Sequence, residues 1–150
     1  MFARTLAVIG IIATLPVMAA DAGRSYIVNE RPASLGTLPF SDAVLSGSTL
    51  YVGGHLGLDP ATGLAAQDPQ VEARLVMDAV KHTVERAGLR MDDLVSVTVY
   101  CTDLELYATF NAVYATYFHG KYPARAFIGA AKLLRNSHFE VMGVATRPRR

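Results

Sequence analysis

The chain has 150 residues, enough for one domain with its own core once a targeting segment is set aside, and too few for two. A net charge of +1 with 18% charged residues argues against nucleic acid or an anionic membrane surface as a partner; the basic end Arg147, Arg149 and Arg150 is too short to change that. The single cysteine, Cys101, excludes an internal disulfide, so the core must hold the fold.

Residues 1–22 read as a secretory signal. Arg4 supplies the positive start, Leu6 to Leu15 are almost wholly apolar, and Pro16 precedes the small-residue run Ala19-Ala20-Asp21-Ala22. The apolar stretch is shorter than the about 20 residues of a membrane span. This predicts export, to the periplasm or beyond, with no stable membrane insertion after cleavage. The alternatives are an uncleaved anchor or a start site set too far upstream.

Residues 23–38 carry Gly23, Asn29, Pro32, Ser34 and Gly36 with little periodicity and read as a linker or a first strand; the domain proper is 39–150. Val44-Leu45-Ser46 and Leu50-Tyr51-Val52-Gly53-Gly54 flank Gly47-Ser48-Thr49, the pattern of an antiparallel hairpin. A turn follows at Asp59-Pro60-Ala61-Thr62-Gly63. Asp68-Pro69 caps a helix with proline in its first turn. Val71, Leu75, Ala79, Val80, Val84 and Ala87 keep helical spacing until Gly88 stops it. From Leu94 to Cys101 the residues alternate, Val95, Val97 and Val99 against Ser96, Thr98 and Tyr100, as in a two-faced strand. Cys101 closes that strand and reads as a small buried hydrophobe.

Thr102 and Glu105 fit a capping box for a second helix with the stripe Leu106, Phe110, Val113 and Tyr117, ended by Gly120. Strands at 126–131 and 139–145 enclose a polar loop, Arg135-Asn136-Ser137. The order strand, strand, helix, strand, helix, strand, strand predicts an α+β domain, a mixed, mostly antiparallel sheet with two helices on one face. The other face has no partner within the chain, so oligomerisation is expected to cover it.

Arg125 and Glu140 place a guanidinium and a carboxylate among apolar strand residues. A guanidinium in such a place needs an acceptor, and its planar fork fits a carboxylate. From the residues alone, Arg125 is a structural ion-pair member, an edge residue or a ligand-binding group. His55, His82, His119 and His138 lack the spacing of a metal site, so no metal is expected. His55, after Gly53-Gly54, is either a pocket residue or a structural one. The remaining histidines read as surface or turn residues. Tyr51, Tyr100, Tyr107, Tyr114, Tyr117 and Tyr122 fall at packing spacings, and without a basic groove they do not suggest base stacking.

Across about residues 39 to 146 the succession Pro39-Phe40-Ser41-Asp42-Ala43, Val52-Gly53-Gly54-His55, Leu58-Asp59-Pro60-Ala61-Thr62-Gly63, Phe110-Asn111-Ala112-Val113-Tyr114, Tyr122-Pro123-Ala124-Arg125-Ala126 and Glu140 resembles the RidA family, also called YjgF/YER057c/UK114. The resemblance implies a chorismate-mutase-like fold and a homotrimer with its pocket between subunits. It also implies a cofactor-free hydrolase of the 2-iminobutanoate/2-iminopropanoate deaminase type, which turns imino or enamino acids into 2-oxo acids and ammonia. By the same resemblance Arg125 binds the substrate carboxylate, Glu140 positions the attacking water, and Gly54 and Asn111 line the site. Phe40, His55 and Phe127 stand where the family often has tyrosine, glutamine and a small residue. Phe127 is expected to narrow the pocket, and Leu133-Leu134 lacks a usual proline. These departures keep open a trimeric carboxylate-binding protein without turnover; a chaperone-like interaction surface, with Arg125 and Glu140 dispensable, is a third reading.

Overall fold

The computed structural model describes residues 23–30 and 37–147. The signal-peptide reading of residues 1–22 lies outside the described residues. Six strands form one sheet: β1 Arg24–Ile27, β2 Ala43–Ser46, β3 Thr49–Leu56, β4 Leu94–Cys101, β5 Ala124–Gly129 and β6 Phe139–Thr146, in the order β1-β2-β3-β6-β4-β5. The β4 and β5 strands run parallel and every other neighbouring pair antiparallel. Two helices, α1 Pro69–Arg86 and α2 Tyr107–Tyr114, cover one face, with α2 making the crossover that a parallel pair requires. Arg24–Ile27, within the segment left between linker and strand, pairs with β2.

The hairpin turn is tighter than the sequence suggests. Ser46 pairs directly with Thr49, leaving Gly47 and Ser48 as the loop, with Gly47 at φ 59° where a side chain would be strained.

Helix α1 begins and ends at its signals. Asp68 accepts from Gln70 N at 2.7 Å and Val71 N at 3.4 Å, Pro69 opens the first turn, and Gly88 takes φ 76° after the last. Its buried stripe is rotated from the expected one. Ala73, Val76, Met77, Val80, Val84 and Ala87 face the sheet, whereas Val71 is exposed and Leu75 and Ala79 flank the stripe. The stripe also contains Glu72, fully buried. Its carboxylate accepts from His138 N at 2.7 Å, Phe139 N at 2.9 Å and His138 Nδ1 at 2.6 Å. His138 therefore pairs with a buried carboxylate instead of simply facing solvent. Glu72→Ala is expected to lower unfolding stability by about 3 kcal/mol, because two buried amides lose their acceptor. Glu72→Gln, whose amide oxygen can accept from both, should recover most of this in a urea titration.

Strand β4 carries an irregularity between Leu94 and Ser96, so Leu94 is buried and Val95 exposed, and only Val97 and Val99 of the three valines face the core. The second helix is capped differently from the expected box. Asp103 Oδ1 accepts from Glu105 N at 3.0 Å, a short 3₁₀ turn Leu104–Leu106 follows, and α2 proper starts at Tyr107. A further 3₁₀ turn, Ala115–Tyr117, extends α2 before Gly120 takes φ 90°. Asp103 sits one residue nearer the helix than Thr102 and offers a charged acceptor to the free amides.

Phe110 centres the aromatic part of the core, 4.9 Å from the Phe139 ring and 5.6 Å from that of Phe127. The face opposite the helices displays Tyr51, Ile128 and Met142, all exposed. An exposed apolar sheet face of this kind is the sort of surface on which protein–protein contacts form.

Candidate active site

Strand β5 pairs Arg125 with Val97, and Val97 is 2% exposed and faces the helices. Arg125 therefore points to the helix side, at the sheet's outer strand. There Nη2 donates to Asn111 Oδ1 at 2.6 Å, and the guanidinium carbon lies 4.5 Å from the Tyr114 ring centroid. Its partner in the chain is thus a neutral amide, and no carboxylate cancels its charge in the described ion pairs. Asn111, Tyr114, Ala115, Tyr122, Pro123 and Arg125 line a cavity of about 310 Å³. In its wall the Tyr114 hydroxyl is buried with no hydrogen-bond partner among the described residues, and burial pushes the phenol up to about 12. A positive fork with a buried unused hydroxyl beside it suits an oxygen-rich anion.

Glu140 lies on the opposite side of the sheet. It pairs with Tyr100 and Leu56, while its chain neighbours Phe139 and Val141 are buried beneath the helices. Lys132, Leu133, Leu134, Arg135, Asn136 and Glu140 line a second cavity, of about 550 Å³. Arg135 and Asn136 in its rim have φ 56° and 55°, a left-handed pair of non-glycine residues. Gly54 meets Glu140 closely enough that a Cβ there would collide with the carboxylate oxygen Oε1. Gly54 and Glu140 are together, as are Asn111 and Arg125, but the two pairs occupy opposite faces of one sheet.

The remaining sequence candidates fall elsewhere. His55 is turned into the core, 6% exposed, with Nδ1 2.8 Å from Gly53 O and Nε2 2.7 Å from Thr83 Oγ1. The cause is a bulge between Val52 and His55, which shifts the alternation so that Gly54 faces outward and His55 inward. Phe127 does not narrow the Arg125 cavity; its ring stands edge-on to Tyr107 at 5.0 Å and packs against Phe110. Phe40 is exposed just ahead of β2 and lines neither cavity. Cys101 is buried, and burial raises its thiol, against a nucleophilic role. His82 and His119 are exposed, and His119 Nδ1 pairs with Asp92 at 2.8 Å. Among the described residues no group of three His, Cys, Asp or Glu could hold a metal ion, and no helix is long and apolar enough to cross a membrane.

One residue that sequence reasoning missed stands beside Arg125. Tyr107, counted there only as a packing residue, holds its ring centroid 5.7 Å from the guanidinium carbon. Its spacing of four from Asn111 places the two on one face of α2, a signal present in the sequence.

The family model described as Endoribonuclease L-PSP matches residues 29–147. A Salmonella typhimurium 2-iminobutanoate/2-iminopropanoate deaminase is 36% identical over 127 residues, covering 83% of this chain and 98% of its own. The chain belongs to the RidA family. A mouse RidA relative with the same enzyme name is 35% identical over 117 residues, 77% of this chain and 85% of its own. The RidA fold recurs in the crystal structure of E. coli TdcF with bound serine, at TM-score 0.74 and 32% identity, covering 83% of this chain and all of that one. RidA membership places the chain in a family with deaminase activity.

Proposed function

We propose that the protein hydrolyses 2-imino acids to 2-oxo acids and ammonia, as the names of its bacterial and mouse relatives describe for those proteins. The observation that carries this reading is the Arg125 guanidinium, held by Asn111 and Tyr114 in a cavity with no carboxylate among the described residues to neutralise it. Two parallel N–H···O bonds from its fork fix the plane of a substrate carboxylate and therefore the position of the adjacent imine carbon. Water then attacks that carbon. The C–O bond forms as the C=N electron pair moves to nitrogen, and Glu140 takes the proton that the water gives up. The same carboxyl returns that proton to the nitrogen, giving a neutral carbinolamine, then takes the carbinolamine's hydroxyl proton and delivers it to the nitrogen as the C–N bond breaks, the carbonyl forms and ammonia leaves; one water enters and one ammonia departs.

Within one chain the two groups face opposite sides of the sheet, so the active site is composite: Arg125 and Asn111 from one subunit, Gly54 and Glu140 from its neighbour. A homotrimer arranged through the bare sheet face supplies this and covers Tyr51, Ile128 and Met142. The exported location read from residues 1–22 belongs to the same proposal.

The test is ammonia release by the purified protein from imino acids generated in place by an amino-acid oxidase, with Glu140→Gln alongside. The wild type accelerates release, and the variant loses about 10²-fold in turnover while keeping affinity for a 2-oxo acid. Binding without acceleration by the wild type would instead establish a carboxylate-binding protein without turnover, the reading that Arg125, with no carboxylate partner among the described residues, also supports.

A further inference from the structure

Tyr107 begins α2, is 49% exposed, and is braced edge-on by the Phe127 ring at 5.0 Å. Four residues on, Asn111 spends its side-chain oxygen on Arg125 Nη2, which leaves the amide nitrogen as donor on the helix face it shares with Tyr107. Tyr114, seven residues on, completes that face, so a phenol, an amide and a second phenol surround one guanidinium. A phenol oxygen that accepts from Asn111 has its own proton to give elsewhere. The acceptor that Arg125 would bring within its reach is a carboxylate.

We propose that Tyr107 is a substrate-contacting residue whose hydroxyl donates a hydrogen bond to the carboxylate held by Arg125. The inference rests on the reading of Arg125 as the carboxylate binder. It gives a function to Phe127, whose edge-to-face contact braces the Tyr107 ring beside Arg125 where a small side chain would leave it free to swing. It also supplies a phenol near the site in a chain that has Phe40 where the family often has tyrosine.

The phenol's ionisation gives the contact a signature. Hydrogen bonding by the Asn111 side chain, then the positive charge of Arg125 on β5, hold the Tyr107 phenol below the ordinary tyrosine value. The Tyr114 phenol, which also faces Arg125, is pushed up to about 12 by burial and so titrates well above it. Below its pKa Tyr107 is a neutral donor; above it, a phenolate that repels a carboxylate. Affinity for the carboxylate therefore falls as pH rises through the lowered Tyr107 pKa.

The experiment is calorimetric titration of the assembled protein with 2-oxobutanoate from about pH 7 to about pH 10, using wild type, Tyr107→Phe and Arg125→Ala. Wild type binds at neutral pH and weakens on the alkaline side. Tyr107→Phe binds about 10-fold more weakly at neutral pH, as for a lost hydrogen bond to a charged group, and lacks the alkaline fall. A merely structural Tyr107 would leave that fall in place. Tyr107→Phe that matches wild type at every pH, with Arg125→Ala unable to bind, overturns the inference and spares the reading of Arg125. Binding by Arg125→Ala equal to wild type, or none by wild type, overturns both.

Discussion

Arg125→Ala is expected to lower kcat/KM for imino-acid hydrolysis by about 10³-fold, with the fold and the assembly unchanged. The size follows from two charge-assisted hydrogen bonds at roughly 1.5–3 kcal/mol each, both lost together with the alignment they impose. The fold survives because Arg125 is only half-buried at the outer strand, and its removal frees a partly exposed Asn111 oxygen and strips one cation from the Tyr114 face. Those losses cost about 1 kcal/mol, small against the stability of a domain. Arg125→Lys should recover only part of the activity, since an ammonium keeps the charge and loses the planar fork. Ammonia release and a thermal melt on the same samples check all of this. A folded Arg125→Ala protein that deaminates at the wild-type rate removes Arg125 from the mechanism.

Local signals were the legible part of this chain. Asp68-Pro69 and Gly88 mark both ends of α1 because capping and left-handed glycine are decided by adjacent residues, and the Gly47-Ser48 turn is decided in the same way. What escaped was governed by partners distant in sequence. The stripe of α1 was misphased because a charged residue is expected outside, yet Glu72 is buried where two amides from the start of β6 and the His138 ring satisfy it. His55 reads as a candidate pocket residue because it follows the Gly53-Gly54 pair, but the bulge between Val52 and His55 turns it into the core instead. The candidate site had a similar limit. Arg125 and Glu140 are readable as an unusual pair of charges in apolar strands, but which face each takes depends on pairing with β4, at Val97 for one and Tyr100 for the other. Val97 and Tyr100 are three apart on one strand and face opposite sides, so their partners Arg125 and Glu140 cannot meet within one sheet.

That opposition of faces makes the strongest demand on the assembly. If Arg125 of one subunit works with Glu140 of the next, Arg125→Ala and Glu140→Ala proteins are each inactive but complementary. Unfolding them together in equal amounts and refolding gives mixed trimers, and around the ring of each mixed trimer one junction joins an intact Arg125 to an intact Glu140. Random assembly leaves three quarters of trimers mixed with one working site in three, so activity should return to about a quarter of the wild-type level. A site contained within one subunit cannot be repaired by mixing, since every chain carries one of the two defects. Activity that stays at the level of the separate variants, with subunit exchange confirmed by mass spectrometry, would therefore require Glu140 to act on a substrate bound by its own chain. The register of β4 with its two neighbours argues against that arrangement, because reaching it would take Glu140 from the outer face through the packed layer of Phe139 and Val141.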